Sequence, residues 1–404
     1  MNVVVVGASL AGLRAAEELR AQGFDGEITV VGEEPHLPYD RPPLSKQILA
    51  GTWELDRLEL PISTEGGLDG LGVDWRLGVR ADSLDVAGRA VVLEAGERLP
   101  YDGLVIATGA APRRLPGTED LAGVHTLRTL DDALTIRSAL DAGARRVVVV
   151  GAGFIGAEVA ATCRTRGAEV TLLEALPVPL GRALGDEMGE VMGGLHRDHG
   201  VDLRLGVGVA SMAGEGRVES VHLADGSEIG ADLVVVGIGV SPNTSWLEGS
   251  GLALDDGVVC DETTLVAPGI VAAGDVARWP SRRFGALLRI EHWDNAIAMG
   301  AHAARRLLAD LAGGDPGDPY DPVPWFWSDQ YDRKIQLAGH CGGAQEVRVV
   351  DGSPGDRRFA AIYRRGDHIV AALAMNRPRP LMVYRRLVER GATWAEALDE
   401  AGAA

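Results

Sequence analysis

At 404 residues, 46% of them hydrophobic, the chain has room for about two to three globular domains with full cores. A formal net charge of -19 argues against nucleic acid and anionic membrane as partners, and no stretch approaches the roughly 18 uninterrupted apolar residues of a membrane span. The chain enters a strand directly, with no basic leader or cleavage site, which predicts a cytoplasmic protein. Cys163, Cys260 and Cys341 lie far apart and form no C-x-x-C or C-x4-C pair, which excludes a local dithiol motif. The histidines show no metal-ligand clustering, so no metal site is expected. Lysine is confined to Lys46 and Lys334 among 39 basic residues, which marks both as candidates for a task arginine cannot perform, or as chance survivors.

Residues 3–6, four valines, run into Gly7-Ala8-Ser9-Leu10-Ala11-Gly12, and residues 13–20 carry helix formers with apolar 3-4 spacing. Strand, tight turn and helix N-terminus form the phosphate cradle of a dinucleotide-binding unit, with Glu33 after a second strand placed for ribose hydroxyls. Ser9 replaces the middle glycine of G-x-G-x-x-G, so this copy alone is also compatible with an α/β turn that binds nothing. Residues 35–46 contain too many prolines for helix or central strand and predict a rigid loop. Short alternating strands are expected around 73–76 and 90–93, with a hairpin turn at 94–97. A buried strand over 104–108 ends at Gly109, and residues 111–117 read as a crossover.

The fingerprint then recurs, complete, as Gly151-Ala152-Gly153-Phe154-Ile155-Gly156 after another four valines, with Glu174 closing the following strand. Strands over 232–236 and 269–273 end in glycines, the second followed by Asp275, and residues 295–308 form an alanine-rich helix. Residues 313–319 are a linker by composition. Beyond Val323, strands are expected near 334–337 and 369–372, with a helical stretch over 381–398. The fold class is α/β: two Rossmann-like domains, 1–114 with 241–322 and 115–240, plus an α+β domain over 323–404.

Two dinucleotide units without a dithiol suggest two nucleotides meeting, one held permanently and one exchanging, the arrangement of hydride transfer. The first fingerprint, Pro38-Tyr39-Asp40-Arg41-Pro42-Pro43-Leu44-Ser45-Lys46, Ala107-Thr108-Gly109-Ala110, Leu127-Arg128-Thr129-Leu130, Gly274-Asp275, Glu291-His292-Trp293-Asp294-Asn295-Ala296 and Pro324-Trp325-Phe326-Trp327-Ser328-Asp329-Gln330 together resemble the oxygenase-coupled, NADH-dependent ferredoxin reductases. These are FAD-containing members of the pyridine nucleotide-disulfide oxidoreductase superfamily, and the resemblance runs through the whole chain.

The resemblance implies that FAD lies on the first unit, held by Gly7, Ser9, Ala11, Gly12, Glu33, Arg41, Lys46, Ala81, Thr108, Gly109, Arg128, Gly274, Asp275 and Trp293. Asp275 is suited to accept a ribityl hydroxyl, and the helix starting near Asp294 to aim its N-terminal dipole at the flavin. NADH would lie on the second unit, at Gly151, Gly153, Ile155, Gly156, Glu158, Glu174 and Arg182. The Glu174 carboxylate would repel the extra phosphate of NADPH, a preference that Arg166 or Arg182 would soften. Catalytic roles fall to Lys46, Glu158 and Trp327: Lys46 and Glu158 pair at the flavin, unless Glu158 is an ordinary surface glutamate of its helix. Trp325 and Trp327 alternate with Phe326, so one face lines a pocket and the other packs a core, with Trp325 open to either role.

The implied activity passes electrons singly from NADH, through FAD, to a small iron–sulfur ferredoxin that feeds a cytochrome P450 or a ring-hydroxylating dioxygenase. One alternative is a thiol-dependent flavoenzyme, an NADH oxidase or a rubredoxin reductase; thiol chemistry needs a reactive cysteine where this chain offers Ser45. Another is a redox-signalling flavoprotein like apoptosis-inducing factor. Arg333, Lys334, Arg357 and Arg358 are the expected cations for an acidic ferredoxin in a chain that is itself acidic.

Overall fold

The computed structural model describes residues 1–403, which form two compact units. One comprises Met1–Asp40, Leu58–Ala111 and Ser241–Pro324; the other comprises Arg41–Arg57, Pro112–Val240 and the chain from Trp325 onward.

The first unit is built on a six-stranded sheet ordered Leu265–Ala267, Ile270–Ala272, Gly103–Ile106, Asn2–Val6, Glu27–Gly32, Asp74–Leu77, parallel except at the first edge. Val3 to Val6 are buried on both faces, as the unbroken apolar run of a covered parallel strand requires. The helices Leu10–Ala21 and Trp293–Leu311 pack against each other, and Gly300 permits it: a Cβ there would stand 2.4 Å from the Ala11 carbonyl oxygen. The segment expected as a strand over 73–76 joins this sheet as its far edge, paired with Glu27–Gly32. Ala90–Leu93 lies in a separate antiparallel sheet between Ala81–Asp85 and Arg98–Pro100.

The second unit holds a five-stranded parallel sheet ordered Asp202–Leu205, Glu169–Glu174, Arg146–Val150, Leu233–Val236, Val124–Thr126. A second sheet, antiparallel, runs Trp325–Gln330, Arg333–Gly339, His368–Met375, Arg358–Arg365, Glu346–Ser353. Its core is shared with the helix Gly181–Asp198: Leu184, Met188, Met192 and Leu195 pack with Phe326, Ile335, Leu337, Phe359 and Leu373. That helix escapes sequence reading because glycine recurs along it, with a kink at Gly185. The helical stretch expected over 381–398 is two helices, Pro378–Glu389 and Trp394–Ala403, separated at Gly391, whose φ is +67°.

The proline-rich loop also departs from expectation, because Leu44–Ile48 forms a short π-helical turn. Pro43 sits at its N-cap with φ -70° and ψ -14°, ahead of the turn's first N–H donors, so its missing N–H breaks none of the turn's hydrogen bonds. The Thr162 hydroxyl donates to the Ser45 carbonyl at 2.8 Å and Arg166 Nη1 to the Leu49 carbonyl at 2.9 Å, which ties the turn to the helix Phe154–Thr165 and its end.

Candidate functional site

In the first unit the chain leaves the strand Asn2–Val6 through Gly7, at φ +123°, where a Cβ would lie 2.0 Å from the Ala107 carbonyl oxygen. A Cβ on Gly12 would lie 1.9 Å from the Gly7 carbonyl oxygen, so both glycines are sterically obligatory. Ser9 occupies the N-cap with extended backbone, a conformation any residue adopts, so its side chain costs the turn no strain. Gly274, at φ +75°, fits over Ala11, where an added Cβ would come within 2.9 Å of the Ala11 methyl. This brings the loop of Asp275 to the first turn of the helix; the Asp275 backbone carbonyl accepts from Arg289 at 3.2 Å. Helix N–H groups, obligatory glycines and an acid make a cradle that fits the pyrophosphate and hydroxyls of a dinucleotide such as FAD.

The other expected residues of this unit take separate stations. Glu33 is exposed just beyond the strand Glu27–Gly32, and Ala81 is buried at the start of its strand. The Thr108 hydroxyl donates to the Asn243 carbonyl at 2.8 Å, and Asn243 Nδ2 returns a bond to the Thr108 carbonyl at 2.9 Å, before Gly109 turns at φ +64°. Trp293 Nε1 donates to Asp40 Oδ1 at 2.8 Å, anchoring the start of its helix.

The second unit repeats the cradle. Cβ atoms on Gly151 and Gly156 would meet the carbonyl oxygens of Gly237 and Gly151 at 2.3 and 2.0 Å, whereas one on Gly153 would meet nothing within 4 Å. The open space at Gly153 is where a phosphate can approach the helix, and Ile155 beside it is 48% exposed. Glu174 does more than wait for a ribose: its two oxygens accept the Ala152 and Leu176 backbone N–H groups at 2.9 and 3.0 Å, which holds the carboxylate at the turn. Arg182 is exposed at the start of the helix Gly181–Asp198. Arg166, expected as a possible phosphate partner, is instead engaged by the Leu49 carbonyl and Asp141.

Lys46 and Glu158, 112 residues apart, form an ion pair at 2.8 Å. Glu158 is 3% exposed, so it is no surface glutamate. Burying an ion pair is unfavourable unless the remaining acceptor sites are filled, and here they are. Ser45 Oγ donates to Glu158 Oε2 at 2.5 Å, Ser328 Oγ donates to Oε1 at 2.7 Å, and Lys46 Nζ also donates to the Pro42 carbonyl at 3.0 Å. Neither serine is visible as a partner in sequence; the only signal is that Ser328 falls in the same alternating row as Phe326. Arg41 and Arg128 also meet, Arg41 Nη1 donating to the Arg128 carbonyl at 2.8 Å.

Along the strand Trp325–Gln330, Phe326, Ser328 and Gln330 point inward and are buried, while Trp325, Trp327 and Asp329 alternate on the other face. Core packing therefore falls to Phe326, and the rings of Trp325 and Trp327 lie 5.4 Å apart on the half-exposed side. Lys334 sits 5.9 Å over Trp327 and pairs with Asp329 at 2.7 Å. All three cysteines are unbridged, and burial pushes each thiol up to about 12, so each is protonated near neutral pH. Among the described residues no group of three or more metal-ligating side chains gathers, and no helix is long and apolar enough to cross a membrane.

The profile of the pyridine nucleotide-disulphide oxidoreductase family matches residues 1–300, and that of the reductase C-terminal domain matches residues 325–401. Rhodocoxin reductase of Rhodococcus erythropolis is 39% identical over 96% of this chain and 89% of its own length. The biphenyl dioxygenase system ferredoxin–NAD(+) reductase component of Paraburkholderia xenovorans is 38% identical over 99% and 96%. Among solved structures, the covalent putidaredoxin reductase–putidaredoxin complex superposes with a TM-score of 0.90 at 34% identity, covering 100% of this chain and 98% of that one.

Proposed function

This chain belongs to the pyridine nucleotide-disulphide oxidoreductase family, and from that premise we propose that it is an NADH-dependent ferredoxin reductase. It takes two electrons from NADH and delivers them singly to a small iron–sulfur ferredoxin, which in turn feeds a cytochrome P450 or a ring-hydroxylating dioxygenase. The observation that carries this reading is the presence of two dinucleotide cradles in a chain whose three cysteines are all unbridged and form no pair. FAD, when bound, supplies the chemistry that accepts a hydride and releases electrons one at a time. With no dithiol to relay a pair of electrons onward, a one-electron iron–sulfur acceptor is the outlet that this reading assigns. The burial that keeps each thiol protonated disfavours a disulfide reductase or peroxidase, which needs an ionised cysteine.

The residues divide the work. The N–H groups behind Gly7, Ala11 and Gly12 receive the FAD pyrophosphate, Glu33 its ribose, and Asp275 a ribityl hydroxyl. The cradle at Gly151, Gly153 and Gly156 receives NADH, with Glu174 on its ribose, and the Lys46–Glu158 pair serves hydride transfer. The use of NADH, which the cytoplasm supplies, supports a cytoplasmic location.

Of the cations expected at the docking face, Arg333, Lys334 and Arg357 are already paired with Asp332, Asp329 and Asp198, and Arg358 is exposed. A better landing site is the helix Pro378–Glu389, where exposed Arg379 and Arg386 flank exposed Met382 and Val383. An apolar patch bordered by arginines suits an acidic ferredoxin. The deciding experiment gives the purified protein NADH and a panel of iron–sulfur ferredoxins, read through cytochrome c reduction. Ferredoxin-dependent rates well above the ferredoxin-free rate are expected; uniformly slow turnover with every ferredoxin would instead favour a redox-signalling role.

A further inference from the structure

Glu158 Oε2 receives both Ser45 and Lys46, whereas Oε1 receives Ser328. Ser328 comes from the C-terminal domain, 170 residues away in sequence, and is itself fully buried. Its hydroxyl has a fixed sense, because Gln330 Nε2 donates to Ser328 Oγ at 3.2 Å and leaves the hydroxyl proton for Glu158. Gln330 is also fully buried and lies beside His196 without closing a well-formed hydrogen bond, and His196 Nδ1 meets the Tyr331 hydroxyl at 3.0 Å. A row of polar groups therefore runs through the otherwise apolar core that contains Phe326, Ile335 and Leu373. Polar groups buried in a core that apolar residues would fill at least as stably call for a role beyond packing.

We infer that Ser328 is a positioning residue for the Lys46–Glu158 pair, oriented from behind by Gln330, so that the C-terminal domain contributes directly to hydride transfer. The inference rests on the reading that this pair serves hydride transfer. Ser328 makes no bond to Lys46; it acts by keeping the carboxylate from rotating, which holds Oε2 toward Lys46.

The chain's two lysines make this testable without relying on turnover alone. In a Lys334→Arg background, isotope-labelled lysine yields one side-chain NMR signal, that of Lys46. Ser328→Ala should shift or broaden that signal, and Ser328→Thr, which restores the hydroxyl, should return it. In the FAD-loaded protein, Ser328→Ala should slow the limiting rate of flavin bleaching by NADH about tenfold or more while leaving the KM for NADH within about twofold. Ser328→Thr should recover most of that rate. An unmoved Lys46 signal in Ser328→Ala overturns the inference, as does a rate loss that threonine does not repair. If alanine prevents folding, Ser328→Cys keeps the volume, weakens the donor and is read the same way. Glu158→Gln and Lys46→Met separate the two claims. Full rates in both would sink the catalytic reading of the pair while the lysine signal still decides whether Ser328 positions it.

Discussion

Glu174 is the residue where charge and geometry act together. Its carboxylate accepts two backbone N–H groups beside the second cradle, so a ribose phosphate placed there would meet a negative charge held by hydrogen bonds. The kcat/KM for NADH should exceed that for NADPH by at least about tenfold, or roughly 1.4 kcal/mol, and Glu174→Gln should shrink the ratio. Equal values in the native protein, or a ratio untouched by the substitution, would assign the preference elsewhere. Gly12 presents a purely steric case. Gly12→Ala must push the Gly7 carbonyl out of a 1.9 Å overlap, so the protein should lose its yellow colour on gel filtration. Gly153→Ala, facing open space, should leave flavin content unchanged.

Between elements, the contact of the helix Gly181–Asp198 with the C-terminal sheet carries a titratable group. His196 is fully buried there, and desolvation lowers its imidazole to about 4. An unfolded histidine takes up its proton near pH 6.5, so between about 6.5 and 4 the unfolded chain binds more protons than the native one, and stability falls as pH falls. The loss from this residue alone is up to about 3 kcal/mol by pH 4. Urea midpoints measured from pH 7 to pH 4 should drop steeply in the native sequence and more gently in His196→Gln. Parallel pH profiles for the two would show that His196 is not the group responsible.

For the whole molecule the governing quantity is the net charge of -19, which repels an acidic partner at long range. On the proposed docking face, capture would depend on the basic residues of the helix Pro378–Glu389, and ferredoxin reduction should weaken as salt rises. Replacing Arg379 and Arg386 by glutamate should raise the KM for ferredoxin about tenfold or more while NADH–ferricyanide activity stays unchanged, because that small acceptor needs no docking. A matching fall in both activities would mean that the helix supports the fold; no change in either would move the docking face elsewhere.

Sequence by itself determined what is locally encoded. A phosphate cradle needs a valine strand, glycines where a Cβ would collide, and a helix start, and all of these fall within a dozen residues, so both copies were legible. The acids that close the second strands, the absence of a dithiol and the alternation of the tryptophan strand were legible for the same reason. What only the tertiary structure decided lies in contacts between distant segments. Ser45 and Ser328 reach Glu158 from 113 and 170 residues away, and no period or motif connects them. The helical turn at Leu44–Ile48 forms among prolines and is tied to the helix Phe154–Thr165, the strand expected near 73–76 takes its place at the edge of the sheet from its pairing with Glu27–Gly32, and the glycine-broken helix Gly181–Asp198 is held by the core it shares with the C-terminal sheet. Local sterics can be read from neighbouring residues; burial and the pairing of buried charge depend on which distant surfaces meet.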